Sequence, residues 1–337
     1  MMEVYGTIGP ACGTFAVLKN MFLAGMTGVR LNVSHGRLED AKKWMENIHK
    51  AAGEVGISPQ VLIDLQGPEL RVGDFGKTIE DYRLREGEEI HLGMQADKNT
   101  VPIPQIVLEN IDLRQQILLD DGKLLLEVVS IGERAKCKIL RGGVLKSRKS
   151  IALPGMELES ETLTAEDYAN LRVAKSYGVT GVMLPFVRGK CDIENLRRAL
   201  NDVGAGDIKI YAKIENQQGV EKIDEIISCA DMVVIARGDL GNAMPLWELP
   251  AMQKKIAGKC RGKECAFMVV TQMLASMEHV KVPTRAEVSD IFNAVLDGAA
   301  AVMLTGETAV GDYPVEAMGY LAKTVREAEK YKKELNS

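Results

Sequence analysis

Histidine is scarce, with four in 337 residues, and the six cysteines at 12, 137, 191, 229, 260 and 265 form no C-x-x-C pair. Neither type clusters with the other, which argues against a zinc site. Scattered thiols in a chain this long fit a reducing cytoplasm. No apolar run approaches the roughly 20 residues of a membrane span. The start, Met1-Met2-Glu3-Val4-Tyr5, shows neither the basic nor the apolar segment of a signal peptide. Charge of one sign is lacking too: 42 basic and 47 acidic residues leave −5. No broad basic face is therefore expected for nucleic acid or anionic lipid, and any anion site must be local. What remains is an ordinary globular composition, 46% hydrophobic and 26% charged.

Short runs of Val, Ile and Leu recur, each followed by an amphipathic stretch. Strands are expected at Val4–Ile8, Val29–Val33, Val61–Asp64, Val182–Pro185, Ile208–Lys213, Met232–Ala236, Phe267–Val270 and Ala301–Leu304. Helices are expected at about 14–24, 38–53, 164–176, 191–202, 217–227, 245–262, 284–297 and 314–333. Continuous apolar strands point to a parallel sheet buried on both faces. Eight βα units point to a closed (β/α)8 TIM barrel. An open doubly wound sheet is the alternative, but no G-x-G-x-x-G follows the first strand. Over about 74–151 helical periodicity gives way to alternating pieces, Glu89–Gly93, Leu124–Val129 and Ala135–Leu140, punctuated by Asp120-Asp121-Gly122 and Arg141-Gly142-Gly143. This reads as a small β-domain inserted after the third barrel strand, with Pro102 and Pro104 in loop or edge.

Barrels of this kind work at the C-terminal ends of their strands. There the sequence places Arg30–Gly36, Asp64–Arg71, Lys213–Asn216, Ala236–Gly241, Val270–Gln272 and Thr305–Thr308. Each has a plain reading. Lys213 and Glu215 suit a solvated strand end, Asp239 a helix cap, His35 a hydrogen-bonded loop. Charged groups gathered at one end of five apolar strands favour a site. Glu215 and Asp239 are hard oxygen ligands suited to Mg²⁺ or Mn²⁺. Lys213 shares a strand face with Glu215, where an ammonium can stabilise an enolate or a moving phosphoryl group. Arg30, Arg71 and Lys149 add positive charge for phosphate, and Thr271 suits orienting substrate or relaying a proton.

These segments, with Thr7–Ala11, Leu119–Gly122, Lys146–Pro154, Asp231–Gly241, Thr271–Leu274, Pro283–Glu287 and Gly306–Pro314, resemble the pyruvate kinase family in order along nearly the whole chain. The resemblance implies a catalytic barrel over 1–73 and 152–337 and an inserted β-barrel lid domain over 74–151. It implies phosphoryl transfer from phosphoenolpyruvate to ADP, giving pyruvate and ATP in glycolysis. By resemblance, Lys213 stabilises the enolate and contacts the moving phosphoryl group, and Thr271 lies near the carbon that gains a proton. Arg30, Arg71, Lys149, Gly238, Asp239 and Thr271 contact substrate or nucleotide phosphates. Glu215 and Asp239 hold Mg²⁺ or Mn²⁺. Asn32, Ser34, Asp64 and the Leu65 backbone hold K⁺, and Glu69 marks the potassium-dependent form.

Departures from the family pattern are Leu65 for threonine, Gln66 for lysine, Ala152 for asparagine, Asn242-Ala243 for valine-glutamate, Ala275 for glutamate and Val310 for lysine. The sequence also stops near the eighth barrel helix, short of the family's C-terminal domain. The expectation is therefore a monomer or homodimer, not activated by fructose 1,6-bisphosphate. Two other readings stay open: a metal-dependent pyruvate-enolate lyase or decarboxylase of the same barrel superfamily, and a catalytically silent paralogue.

Overall fold

The computed structural model describes residues 2–34, 36–156 and 160–335. His35 lies outside the described residues. The chain divides into two compact units. One comprises Met1–Gly67, Glu161–Arg237 and Leu249–Ser337, the other Pro68–Ser160 and Gly238–Glu248.

The first unit is a closed parallel barrel of eight strands: Glu3–Ile8, Gly28–Asn32, Gln60–Asp64, Gly181–Leu184, Lys209–Ile214, Met232–Ala236, Phe267–Val270 and Ala301–Leu304. Neighbours follow chain order, and the ring closes where Glu3 aligns with Ala301. The interior is filled by Tyr5, Leu62, Met183, Tyr211, Met268 and Met303, among others. Two glycines make room for the two rings. A Cβ at Gly28 would meet the Tyr5 ring at 2.2 Å, and one at Gly181 the Tyr211 ring at 2.5 Å. Side chains alternate along a strand, so the residues two places beyond Tyr5, Gly28, Leu62 and Tyr211 occupy the next interior layer. Those residues are Thr7, Arg30, Asp64 and Lys213.

The helices start and stop where local chemistry directs. Thr14 caps Phe15–Ala24 by accepting from the Val17 N–H, and Gly56 ends Lys42–Val55 in the left-handed conformation. Capping boxes, Thr164 with Asp167 and Thr284 with Glu287, open Ala165–Ala174 and Arg285–Leu296. The stretch expected to be one helix at 217–227 is two short ones, Gln217–Glu221 and Ile223–Ile227. The helix expected from 245 starts at Leu249, and Arg237–Ala243 forms a separate helix before it.

The second unit corrects the expectation of a small closed β-barrel. It contains an open six-stranded sheet and a separate two-stranded ribbon, Tyr82–Leu84 with Gly143–Leu145. The sheet runs, edge to edge, through Ile151–Ala152, Gln116–Leu119, Leu124–Ser130, Ala135–Arg141, Glu89–Gly93 and Thr100–Pro102. Both edges resist closure. One strand has only two residues, and the other ends in Pro102, which has no N–H and whose carbonyl is taken by Gly73 at 2.8 Å. A helix, Gln105–Asn110, also stands where no helical periodicity was expected. Phe75, Tyr82, Leu92, Ile117 and Leu126 form part of this unit's own core. Phe75 meets Tyr82 edge-on with ring centres 4.7 Å apart. Residues 238–248 group here: a Cβ at Gly122 would lie 2.5 Å from Asn242 Oδ1.

Candidate active site

Within the barrel unit, a polar network occupies the layer above Tyr5, Leu62 and Tyr211. Arg30 donates to Asp64 Oδ2 through Nε at 3.1 Å and Nη2 at 2.5 Å, and to Thr7 Oγ1 at 3.3 Å. Lys213 Nζ lies 3.2 Å from both Asp64 oxygens and 2.9 Å from Glu215 Oε1. Three strands thus bring together two cations and two carboxylates, with Thr7 from a fourth, and the Arg30 and Lys213 side chains are each only 13% exposed. Ionic groups this deep persist only when each meets opposite charge. Burial alone would raise the Asp64 pKa, but Lys213 and Arg30 outweigh it and hold the carboxyl below the usual range.

Glu215 is buried, and its second oxygen accepts the backbone N–H of Phe186 at 2.8 Å. Phe186 presents that N–H from a left-handed backbone, φ 52°. Such a conformation is costly for a bulky residue and tends to gather at functional sites.

Thr271 follows the strand Phe267–Val270 and sits at φ 76°, with Gln272 at φ 55°. Charged groups hold this turn from several directions. The Arg237 guanidinium donates to the Thr271 carbonyl at 2.7 and 3.2 Å and is itself anchored on Asp290 at 2.7 Å. Glu307, buried, accepts the N–H groups of Leu274 at 3.0 Å and Thr305 at 2.7 Å. Glu287 accepts the Ser276 N–H at 2.7 Å while also capping its own helix.

The end of the third strand is fixed by Asp167, which is fully buried. Its carboxylate accepts the N–H groups of Gln66, Gly67 and Thr164 at 2.8, 3.0 and 2.8 Å. Leu65 is buried and donates to the Met183 carbonyl at 3.1 Å. Asn32 Oδ1 accepts from Ser34 Oγ at 2.7 Å. The residues expected at a potassium site thus divide: Asn32 and Ser34 bond to each other, while Asp64 turns to Arg30 and Lys213.

In the second unit, Arg71 pairs with Glu69 at 2.6 Å and donates to the Arg148 carbonyl at 2.8 Å. Lys149 pairs with Asp120 at 2.8 Å. Backbone bonds from Val72 to the Lys149 carbonyl and from Ile151 to the Leu70 carbonyl join these two segments. Gly238 and Asp239 belong to this unit, in the helix Arg237–Ala243.

Among the described residues, no group of three or more His, Cys, Asp or Glu could hold a metal. The donors that are present are carboxylate, amide and hydroxyl oxygens. They fit Mg²⁺, which keeps several waters and takes one or two carboxylates plus substrate oxygens.

The barrel-domain model of the pyruvate kinase family matches residues 1–318. The chain belongs to the pyruvate kinase family. It is 38% identical over 333 residues to a pyruvate kinase of Aeropyrum pernix, covering 98% of this chain and 71% of that protein. It is 38% identical over 324 residues to that of Geobacillus stearothermophilus, covering 94% and 55%. With the enzyme of Thermococcus litoralis the identity is 36% over 343 residues, covering 99% and 70%. The chain therefore spans between about half and three-quarters of the length of these relatives.

Several residues escaped sequence reasoning. Asp167 was legible as the last member of a Thr-x-x-Asp capping box, but not as the anchor of another strand's end. Glu307 reads in the sequence only as part of a strand-end motif. Nothing in the sequence marked Phe186, Asp290 or Arg237 as partners of Glu215 and Thr271.

Proposed function

We propose that this chain transfers the phosphoryl group of phosphoenolpyruvate to ADP, giving pyruvate and ATP. The observation that carries the reading is the Lys213 ammonium, nearly buried between Asp64 and Glu215 at the strand ends of a barrel of this family. As an ADP oxygen bonds to phosphorus and the bond to the enol oxygen breaks, negative charge grows on the enolate. A fixed, partly desolvated ammonium stabilises that charge more than it stabilises the ground state. Arg30 neutralises phosphoryl oxygens from the same layer, and Arg71, Lys149 and Gly238 are proposed phosphate contacts of the second unit. Thr271 orients the proton delivered to the methylene carbon. Its carbonyl is clamped by Arg237, which fixes the backbone from which that side chain projects. Glu215 and Asp239 would hold Mg²⁺ or Mn²⁺, and Asn32, Ser34, Asp64 and the Leu65 carbonyl would hold K⁺. When bound, the divalent ion supplies Lewis-acid polarisation of substrate oxygens.

The test is pyruvate formation from phosphoenolpyruvate with Mg²⁺ and K⁺, with and without ADP. ADP-dependent turnover is expected, and Lys213→Met should lower kcat by at least 100-fold while phosphoenolpyruvate still binds. Pyruvate formation from a β-keto acid, with phosphoenolpyruvate left intact whether or not ADP is present, would favour a lyase or decarboxylase. Binding without turnover under all conditions would favour a silent paralogue.

A further inference from the structure

We propose that Cys260 and Cys265 form a paired dithiol site that a small hydroperoxide oxidises to an intramolecular disulfide. The argument starts from how the helix Leu249–Gly262 ends. The Cys265 N–H bonds to the Cys260 carbonyl at 2.9 Å, and the Glu264 N–H bonds to the Arg261 carbonyl at 3.2 Å. Glu264 sits between them at φ 55°. These two bonds and one left-handed residue define a Schellman turn, which brings the side chains of its first and last residues into contact. Usually that contact is hydrophobic. Here both positions are cysteine, Cys265 Sγ donates to the Ala266 carbonyl at 3.5 Å, and each of the two thiols shifts the titration of the other.

The surroundings separate this pair from the other thiols. Cys12 and Cys137 are buried, and burial pushes their thiols up to about 11 and about 12. Cys229 is also raised, first by burial. At Cys265 the neighbouring Cys260 thiol outweighs burial and lowers the thiol below its ordinary value, while the same pairing raises Cys260. Cys260 is fully buried and Cys265 half-buried, so a small oxidant reaches one sulfur and the other waits behind it. The thiolate is the nucleophile.

The chemistry balances with the hydroperoxide as the only co-reactant. The Cys265 thiolate attacks the peroxide, forming an S–O bond and breaking the O–O bond, and the departing oxygen takes a proton to leave as alcohol or water. The Cys260 sulfur then attacks the sulfenic acid, forming the S–S bond and releasing water. Two thiols lose two electrons and two protons, and the hydroperoxide is reduced. The pairing across a closed turn keeps the two sulfurs together, as a disulfide's narrow geometry requires.

The test is to treat the full native chain with one equivalent of hydrogen peroxide, block remaining thiols, and map the digest without reduction. We expect free thiols to fall from six to four, with Cys260 cross-linked to Cys265, a mass loss of two hydrogens and recovery by a dithiol reductant. In Cys260→Ser, dimedone should instead trap a sulfenic acid at Cys265. Three results would overturn the proposal: first reaction at the exposed Cys191, over-oxidation of Cys265 without a cross-link, or equally fast cross-linking in the chain unfolded in guanidinium.

Discussion

Asp64 holds two cations at once, so its loss should matter more than any surface ion pair. Replacing it by Asn removes the charge but keeps the shape. Arg30 and Lys213 would then face an amide in a layer from which water is largely excluded. Removing one member of such a buried network costs about 3–5 kcal/mol. Asp64→Asn should destabilise the barrel unit by about 3 kcal/mol, read from the midpoint of urea unfolding followed by tryptophan fluorescence. An unchanged midpoint would mean the network contributes nothing to folding. Arg237 acts differently. Its guanidinium holds a β-branched residue in a left-handed backbone that costs roughly 1–3 kcal/mol. Arg237→Met releases that clamp and leaves Asp290 without its partner. We expect kcat to fall about tenfold with little change in KM for phosphoenolpyruvate, and partial recovery in Arg237→Lys. Equal loss in both variants would show that charge alone is insufficient. No loss in either would free Thr271 from this role.

Among the secondary elements, one helix start carries a pH-sensitive carboxylate. Asp192 lies in the first turn of Lys190–Asp202. It accepts the Arg188 backbone N–H at 2.8 Å, pairs with the Arg188 guanidinium at 2.7 Å and accepts from Thr162 Oγ1 at 2.6 Å. Burial would raise its pKa, but these donors, led by the Arg188 side chain, lower it below the usual carboxylate value. A carboxyl depressed in the folded state binds protons less readily than in the unfolded chain. Its stabilisation is therefore complete above the ordinary value of about 4 and disappears as pH falls through the folded value. Asp192→Asn should cost about 1–3 kcal/mol at neutral pH. It should also flatten the loss of stability measured below about pH 4. A variant with the same acid slope as the parent would remove Asp192 from this account.

For the molecule as a whole, each of the two units has its own hydrophobic core, and each tryptophan sits in a different unit. Trp44 is on the helix Lys42–Val55 of the barrel unit, and Trp247, in the second unit, is 82% exposed. A solvated indole changes little on unfolding, so tryptophan emission reports chiefly on the barrel. Independent cores allow separate transitions. We expect urea curves from fluorescence and from far-ultraviolet circular dichroism not to superimpose. Coincident curves would mean that the units unfold as one.

The barrel was legible because its signals are local and repeated. Eight apolar strands, buried on both faces and separated by amphipathic helices, admit few other arrangements, and the strand bounds moved by only a residue or so. The strand-end residues were legible for the same reason: Lys213 and Glu215 stand two apart, at and just past the end of a strand whose alternation sets their common face. The inserted sheet was less so. Its edge strands are short, and whether edges pair depends on Pro102, on a two-residue strand and on which partner Gly143–Leu145 takes, none of which a hydrophobic pattern encodes. The roles of Asp167, Arg237, Glu287 and Glu307 escaped because each holds a backbone group distant in sequence, and that of Phe186 because its own N–H serves the distant Glu215 carboxylate. The sequence alone determined that a parallel barrel would form and which end would carry charge. Only the tertiary structure decided which carboxylate meets which cation, because barrel closure brings together side chains from strands far apart in the chain.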